Sequence, residues 1–157
     1  MTGGNDPGQL IEQEHTEGRE IERFESGLVL PESFHHADHV RLGFCYLRRY
    51  SPLEAIGRFC RALKQFAHSQ GKENLYHETI TWAYLLLMNE RMHRTRGHSW
   101  EEFAAANPDL LTWNDGILSR YYTEGTLKSD LARQVFVFPD NIPTRDSCGG
   151  PRSTCNS

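Results

Sequence analysis

The chain has 157 residues, of which 38% are hydrophobic and 24% are charged, and this composition fits one globular domain with a core of ordinary size. Its net charge of −4, without a long Lys/Arg cluster, argues against a nucleic-acid partner. The longest apolar run, residues 82–88, is far shorter than the roughly 20 residues of a membrane-spanning helix, and no secretory leader is visible, so we expect a cytoplasmic protein with no membrane partner.

Both ends of the chain have the composition of disordered segments. Residues 1–27 carry seven acidic and two basic side chains and begin with a stretch rich in Gly and Pro. Such a segment has too little apolar surface to offset the entropy of ordering, so we predict a largely disordered acidic lead, with a helix near Ile21 as the alternative. Residues 141–157 are rich in Gly, Pro, Ser and Thr and predict a disordered tail. A single helical domain is expected over residues 28–140.

Between these ends the apolar residues recur at helical spacing. Three longer helices are predicted, at about residues 34–50, 52–70 and 74–94. Ser33 is the expected N-cap of the first. Shorter helices are predicted at residues 99–106, 113–122 and 129–134, with an extended strip at residues 135–138. The predicted fold is an all-α, compact helical bundle of three longer helices with shorter helices packed over them.

Three histidines are placed to meet inside this bundle. His36 and His39 are three residues apart, so they lie on one side of the first helix together with core residues. His77 is in phase with the apolar stripe of the third helix. Buried imidazoles are costly unless their ring nitrogens find partners, and a bound ion satisfies one nitrogen of each. The pattern predicts one divalent metal ion, zinc or iron, held by three histidines with an open position.

Two side chains of the third helix are candidate catalytic groups. Glu78 follows His77 and would move a proton as a general base. Thr81 lies one turn after His77, where its hydroxyl would either donate to a metal-bound water or bond to the His77 carbonyl. Whether His35, Asp38 or Glu78 adds a ligand is left open by the spacing, because neighbours on a helix point about 100° apart.

The motifs that contain these histidines resemble motifs of known proteins. Four motifs resemble those of a group of small, uncharacterised bacterial proteins with no established activity: F-x-H-x-x-H at residues 34–39, L-R-R at 47–49, A-x-x-R-F-x-x-A-L-x-x-F at 55–66 and Y-H-E-T-I-T at 76–81. The resemblance covers about residues 34–95 and implies that His36, His39 and His77 act together. At the level of the fold, the chain is also similar to DinB-like bundles, which hold a divalent metal through three histidines. In this chain, unlike in those bundles, the close-spaced pair precedes the single histidine.

Two classes of function follow from these features. The first is a small metal-dependent enzyme that acts on a small-molecule substrate by metal-activated water or Lewis-acid chemistry, as a hydrolase, lyase or transferase, or as an oxidoreductase if the ion is iron. The alternative is a non-enzymatic helical binding or interaction module, in which the histidines are structural and the acidic lead contacts a partner. The two differ in whether the three imidazoles converge on one ion.

Overall fold

A computed structural model of the protein describes residues 6–95, 99–113 and 116–141. This part of the chain is all-α, as predicted, and contains four long helices, three short helices and no strand. The long helices are α1 (Pro7–Glu25), α2 (His36–Arg49), α3 (Pro52–Ser69) and α4 (Glu78–Arg94), and the short ones are α5 (Trp100–Ala106), α6 (Glu124–Leu127) and α7 (Asp130–Gln134). Single 3-10 turns occur at Pro31–Ser33, Glu73–Leu75, Pro108–Leu110 and Ile117–Arg120.

Local sequence explains most helix boundaries. Pro52 occupies the first turn of α3, where its missing amide hydrogen costs nothing, and Gly71 follows the end of α3 with a φ of 62°. Ser99 and Glu102 form the predicted reciprocal capping box at the start of α5. Ser129 caps α7, also as predicted.

The beginning of α2 differs from the prediction. Ser33 lies in a 3-10 turn, and its hydroxyl donates to the Leu30 carbonyl at 2.9 Å. His35 is the N-cap residue instead, and its backbone amide donates to the Asp38 carboxylate at 2.8 Å. A carboxylate three residues into the helix therefore fixes the start, and Asp38 acts as a capping residue.

Helices α2 and α3 form the centre of the bundle, since each packs against the other three long helices. Phe44 and Tyr46 on α2 are almost completely buried. Gly43 allows the close approach of α4, because a β-carbon at this position would lie 3.0 Å from Leu85 and 3.5 Å from Met88. This contact brings the two histidine-bearing helices together.

The predicted disordered lead is wrong over residues 7–25, which form α1. Ile21 and Phe24 are 2% and 3% exposed and belong to the main core. Three carboxylates of α1 bond to α2, in the pairs Glu17–Arg48, Glu20–Arg41 and Glu25–Tyr46. These three acidic side chains thus have partners within the fold, and the bundle has four long helices instead of three. The predicted tail lies outside the described residues from position 142 onward.

Residues 135–138, predicted as an extended strip, pack against α4 without forming a strand. Thr79, which is fully buried, holds this segment. Its hydroxyl donates to the Val135 carbonyl at 2.8 Å and accepts from the Val137 amide at 3.1 Å. One side chain therefore supplies both of the hydrogen bonds that a neighbouring strand would provide.

Candidate ligand cavity

His77 is buried, as predicted, but it precedes α4 as its N-cap instead of lying within the helix. Its Nδ1 accepts a hydrogen bond from the Ile80 amide at 3.2 Å. This bond requires Nδ1 to be unprotonated, so Nε2 carries the hydrogen and donates to the Leu127 carbonyl at 2.8 Å. Both ring nitrogens of His77 are therefore engaged with the main chain.

His36 is the first residue of α2 and is half-buried. Its Nε2 lies 2.8 Å from the Leu110 carbonyl. The ring packs between Tyr84 and Trp113, with centroid separations of 5.2 and 5.1 Å. Burial lowers the pKa of His36, although the bond to Leu110 opposes this shift. His36 consequently links α2 to the 3-10 turn at Pro108–Leu110.

His39 differs from the other two histidines because its ring nitrogens have no hydrogen-bond partner within the described part of the chain. The ring is half-buried and lies 4.1 Å from the Phe34 ring, centroid to centroid. Burial lowers the pKa of His39 to about 4, and the nearby His36 adds to the effect while Asp38 opposes it. His39 is therefore neutral at pH 7 and offers one donor and one acceptor to a ligand.

The arrangement does not fit the predicted three-histidine metal centre. No group of three His, Cys, Asp or Glu side chains within residues 6–95, 99–113 and 116–141 is placed to hold a metal ion. His77 would have to give up its helix cap to offer a lone pair to an ion. His35 is exposed, and the Asp38 carboxylate bonds to the His35 amide. Main-chain groups thus supply to His36 and His77 the hydrogen-bond partners that the prediction assigns to a metal ion.

The two candidate catalytic groups also have structural partners. The Glu78 carboxylate accepts from the Trp82 indole at 2.9 Å and pairs with Lys64 at 2.9 Å. Burial opposes its ionisation, but these contacts outweigh burial and hold the pKa of Glu78 below its usual value, which disfavours a general base at neutral pH. The Thr81 hydroxyl donates to the His77 carbonyl at 2.8 Å, the second of the two roles that its position allows.

The three histidines nevertheless line one cavity of about 820 Å³ between α2, α3 and α4. Most of its wall is apolar, and its aromatic and aliphatic lining residues include Phe34, Phe59, Leu63, Phe66, Ile80 and Met88. His39 is the lining histidine with free ring nitrogens among the described residues. The cavity thus combines a large apolar surface with a polar group that is available to a ligand.

Three cationic side chains, none of them a predicted site residue, line the same cavity. They are Lys72, before the 3-10 turn that precedes α4, Lys128, after α6, and Arg133 on α7. Lys72 and Lys128 are exposed, so they lie where the cavity opens to solvent. Their separation in the chain hides this cluster, because no local motif connects position 72 with positions 128 and 133.

Comparison with protein-family models, with curated proteins and with solved structures gives no significant match to this chain. The resemblance described from the motifs therefore stays a prediction. None of the helices in the described ranges combines the length and the apolar character needed to cross a membrane.

Proposed function

We propose that this protein binds a small, mainly apolar molecule in the cavity between α2, α3 and α4. The observation that carries the proposal is the cavity itself, which measures about 820 Å³. Pockets for small organic ligands generally have volumes of roughly 300–1,000 Å³ and predominantly apolar walls. The size and chemistry of the cavity both fall in that class.

The energetics of packing support the same proposal. Apolar side chains are ordinarily packed against one another, but this cavity opens to solvent and leaves its apolar wall exposed instead of packed. The fold retains this space even though α2 and α4 approach closely at Gly43. A molecule that fills the cavity would recover the missing contacts and stabilise the folded state.

His39 is the proposed polar contact for the ligand. Its neutral ring presents a donor and an acceptor without a partner in the described structure. A hydrogen bond between this ring and a ligand would contribute about 0.5–1.5 kcal/mol to binding. We therefore assign orientation of the ligand to His39, and structural roles to His36 and His77.

The test is a titration with the neutral dye N-phenylnaphthylamine, whose fluorescence increases in apolar surroundings. The wild type should bind the dye, and Leu63→Trp, which places an indole in the cavity, should weaken binding about tenfold or more. Leu87→Trp is the matched control, since Leu87 is also half-buried against the core but does not line the cavity. Equal binding by both variants would reject the cavity as the site.

A metal-dependent enzyme is the second candidate, and one observation favours it: His36, His39 and His77 all line the same cavity. Such a site would carry zinc or iron and act on a small-molecule substrate. The engaged nitrogens of His77 count against it. Elemental analysis of untagged protein decides the question, because this candidate requires near-stoichiometric metal in the wild type and its loss in His77→Ala.

A further inference from the structure

The charges around the cavity are one-sided. Lys72, Lys128 and Arg133 line it, and no acidic side chain is among the described residues that do so. The whole chain shows the opposite balance, with 21 acidic and 17 basic residues. The excess of positive charge is therefore a local property of the cavity.

The three cations lie on one side of the cavity. The Arg133 guanidinium donates to the Asn74 carbonyl at 2.6 Å, which brings α7 to the segment that carries Lys72. The bond between His77 and the Leu127 carbonyl places the end of α6, and with it Lys128, beside the start of α4. We call Lys72, Lys128 and Arg133 the basic mouth.

Two of these cations lack an acidic partner in the described ranges. Lys72 has neither an ion pair nor a side-chain hydrogen bond there, and Arg133 bonds only to the main chain. Lys128 pairs with Glu124, but both side chains are more than 70% exposed, so the pair competes poorly with a bound anion. The mouth therefore has positive charge that the fold itself does not neutralise.

We propose that the ligand is an amphipathic carboxylate, whose apolar part fills the cavity and whose anionic group lies at the basic mouth. This inference rests on the proposed function and specifies its ligand class. The apolar wall favours a ligand with an apolar body, and the two lysines and the arginine favour a negatively charged headgroup. None of the described lining residues is acidic, so none of them would repel such an anion.

The test compares two ligands that differ only in the headgroup. Decanoate and decanol compete with bound N-phenylnaphthylamine at pH 7.5, at low and at high salt. We expect decanoate to bind about tenfold more tightly than decanol at low ionic strength, because each exposed ion pair contributes up to about 1 kcal/mol. The preference should shrink in high salt, whereas decanol binding should change little.

Charge variants connect the preference to the mouth. Lys72→Gln and Arg133→Gln should each reduce the affinity for decanoate about threefold and leave that for decanol unchanged. Arg61→Gln is the control, because Arg61 is exposed on α3, does not line the cavity, and carries the same charge. Circular dichroism melting of each variant verifies that its fold is retained.

The outcomes separate the two proposals. If Lys72→Gln and Arg133→Gln weaken the preference for decanoate and Arg61→Gln keeps it, the result supports a carboxylate ligand at the basic mouth. Equal displacement of the dye by decanol and decanoate overturns the carboxylate but leaves the apolar cavity as a binding site. A wild type that does not bind the dye, and whose melting temperature neither decanoate nor decanol raises, overturns both proposals. A decanoate preference that Arg61→Gln reduces as much as Lys72→Gln would indicate attraction by net charge and would also overturn the assignment to the mouth.

Discussion

Replacing His77 by Ala tests directly whether this residue is structural. The substitution removes the cap on the Ile80 amide and the hydrogen bond to the Leu127 carbonyl. Loss of an N-cap costs about 0.5–2 kcal/mol, and a carbonyl left without its partner in a half-buried position costs about 1–2 kcal/mol. We therefore expect His77→Ala to lower the free energy of unfolding by about 1.5–4 kcal/mol.

Urea denaturation followed by circular dichroism measures this change. With a denaturant slope of about 2 kcal/mol per molar, the midpoint should fall by about 1–2 M. His77→Asn is the informative companion, because its side-chain oxygen still caps Ile80 but does not reach Leu127 as the imidazole does. Its stability should lie between those of the wild type and His77→Ala.

Metal dependence is the result that would refute this reasoning. If His77 is a cap, a chelator and added zinc should both leave the midpoint of the wild type unchanged. A rise in the wild-type midpoint with zinc that disappears in His77→Ala would mean that the imidazole binds an ion in solution. Equal stability of the wild type, His77→Ala and His77→Asn would instead show that neither hydrogen bond of His77 contributes to the free energy of unfolding.

Three other substitutions test the packing and the pH dependence. Phe24→Ala should cost about 3–5 kcal/mol in urea melts if α1 is part of the core, against less than about 0.5 kcal/mol for a disordered lead. Gly43→Val should cost about 1–3 kcal/mol in the same melts by crowding Leu85, while Gly43→Ala should be nearly neutral because its better helix propensity offsets the contact. Because the pKa of His39 is lowered to about 4, the unfolded state binds the proton first, so wild-type stability is full above pH 6.5 and falls as the pH drops from 6.5 to 4. Between melts at pH 7 and pH 4.5, His39→Leu should lose less stability than the wild type, by up to about 2.5 kcal/mol.

The helices of the bundle are largely readable from local sequence. The spacing of Ile56, Phe59 and Leu63 marks the buried side of α3, and Ser99 with Glu102 marks the start of α5. These signals extend over only a few residues, so they can be recognised without knowledge of the tertiary fold. Boundaries shift where two caps compete, as at Ser33 and His35.

Most of helix α1 cannot be predicted beyond the alternative near Ile21, because its stabilising partners are distant in the chain. Averaged over residues 1–27, the composition is acidic and poor in apolar residues, and this hides the single docking pair Ile21 and Phe24. A local signal was present, since Asp6 followed by Pro7 is an N-cap and first-turn pattern. The arginines of α2 that pair with its carboxylates cannot be assigned from spacing.

The candidate site is only partly readable for a similar reason. Sequence shows that His36 and His77 face inward, but their partners are carbonyls of residues 74 and 50 positions away. Main-chain oxygens have no signature in a sequence, so a metal ion was the simpler explanation of buried imidazoles. The basic mouth depends on α7 folding back to Asn74, which is equally a tertiary event.

The double hydrogen bond of Thr79 has a consequence for amide hydrogen exchange. The Val137 amide belongs to an irregular segment, where exchange is ordinarily fast, but it donates to a hydroxyl that is fully buried. Its protection should therefore match that of α4 and not that of the neighbouring turns. Matched protection would show that α4 and residues 135–138 open as a single cooperative unit. Thr79→Val, which keeps the shape of the side chain and removes the acceptor, should expose the Val137 amide to rapid deuteration.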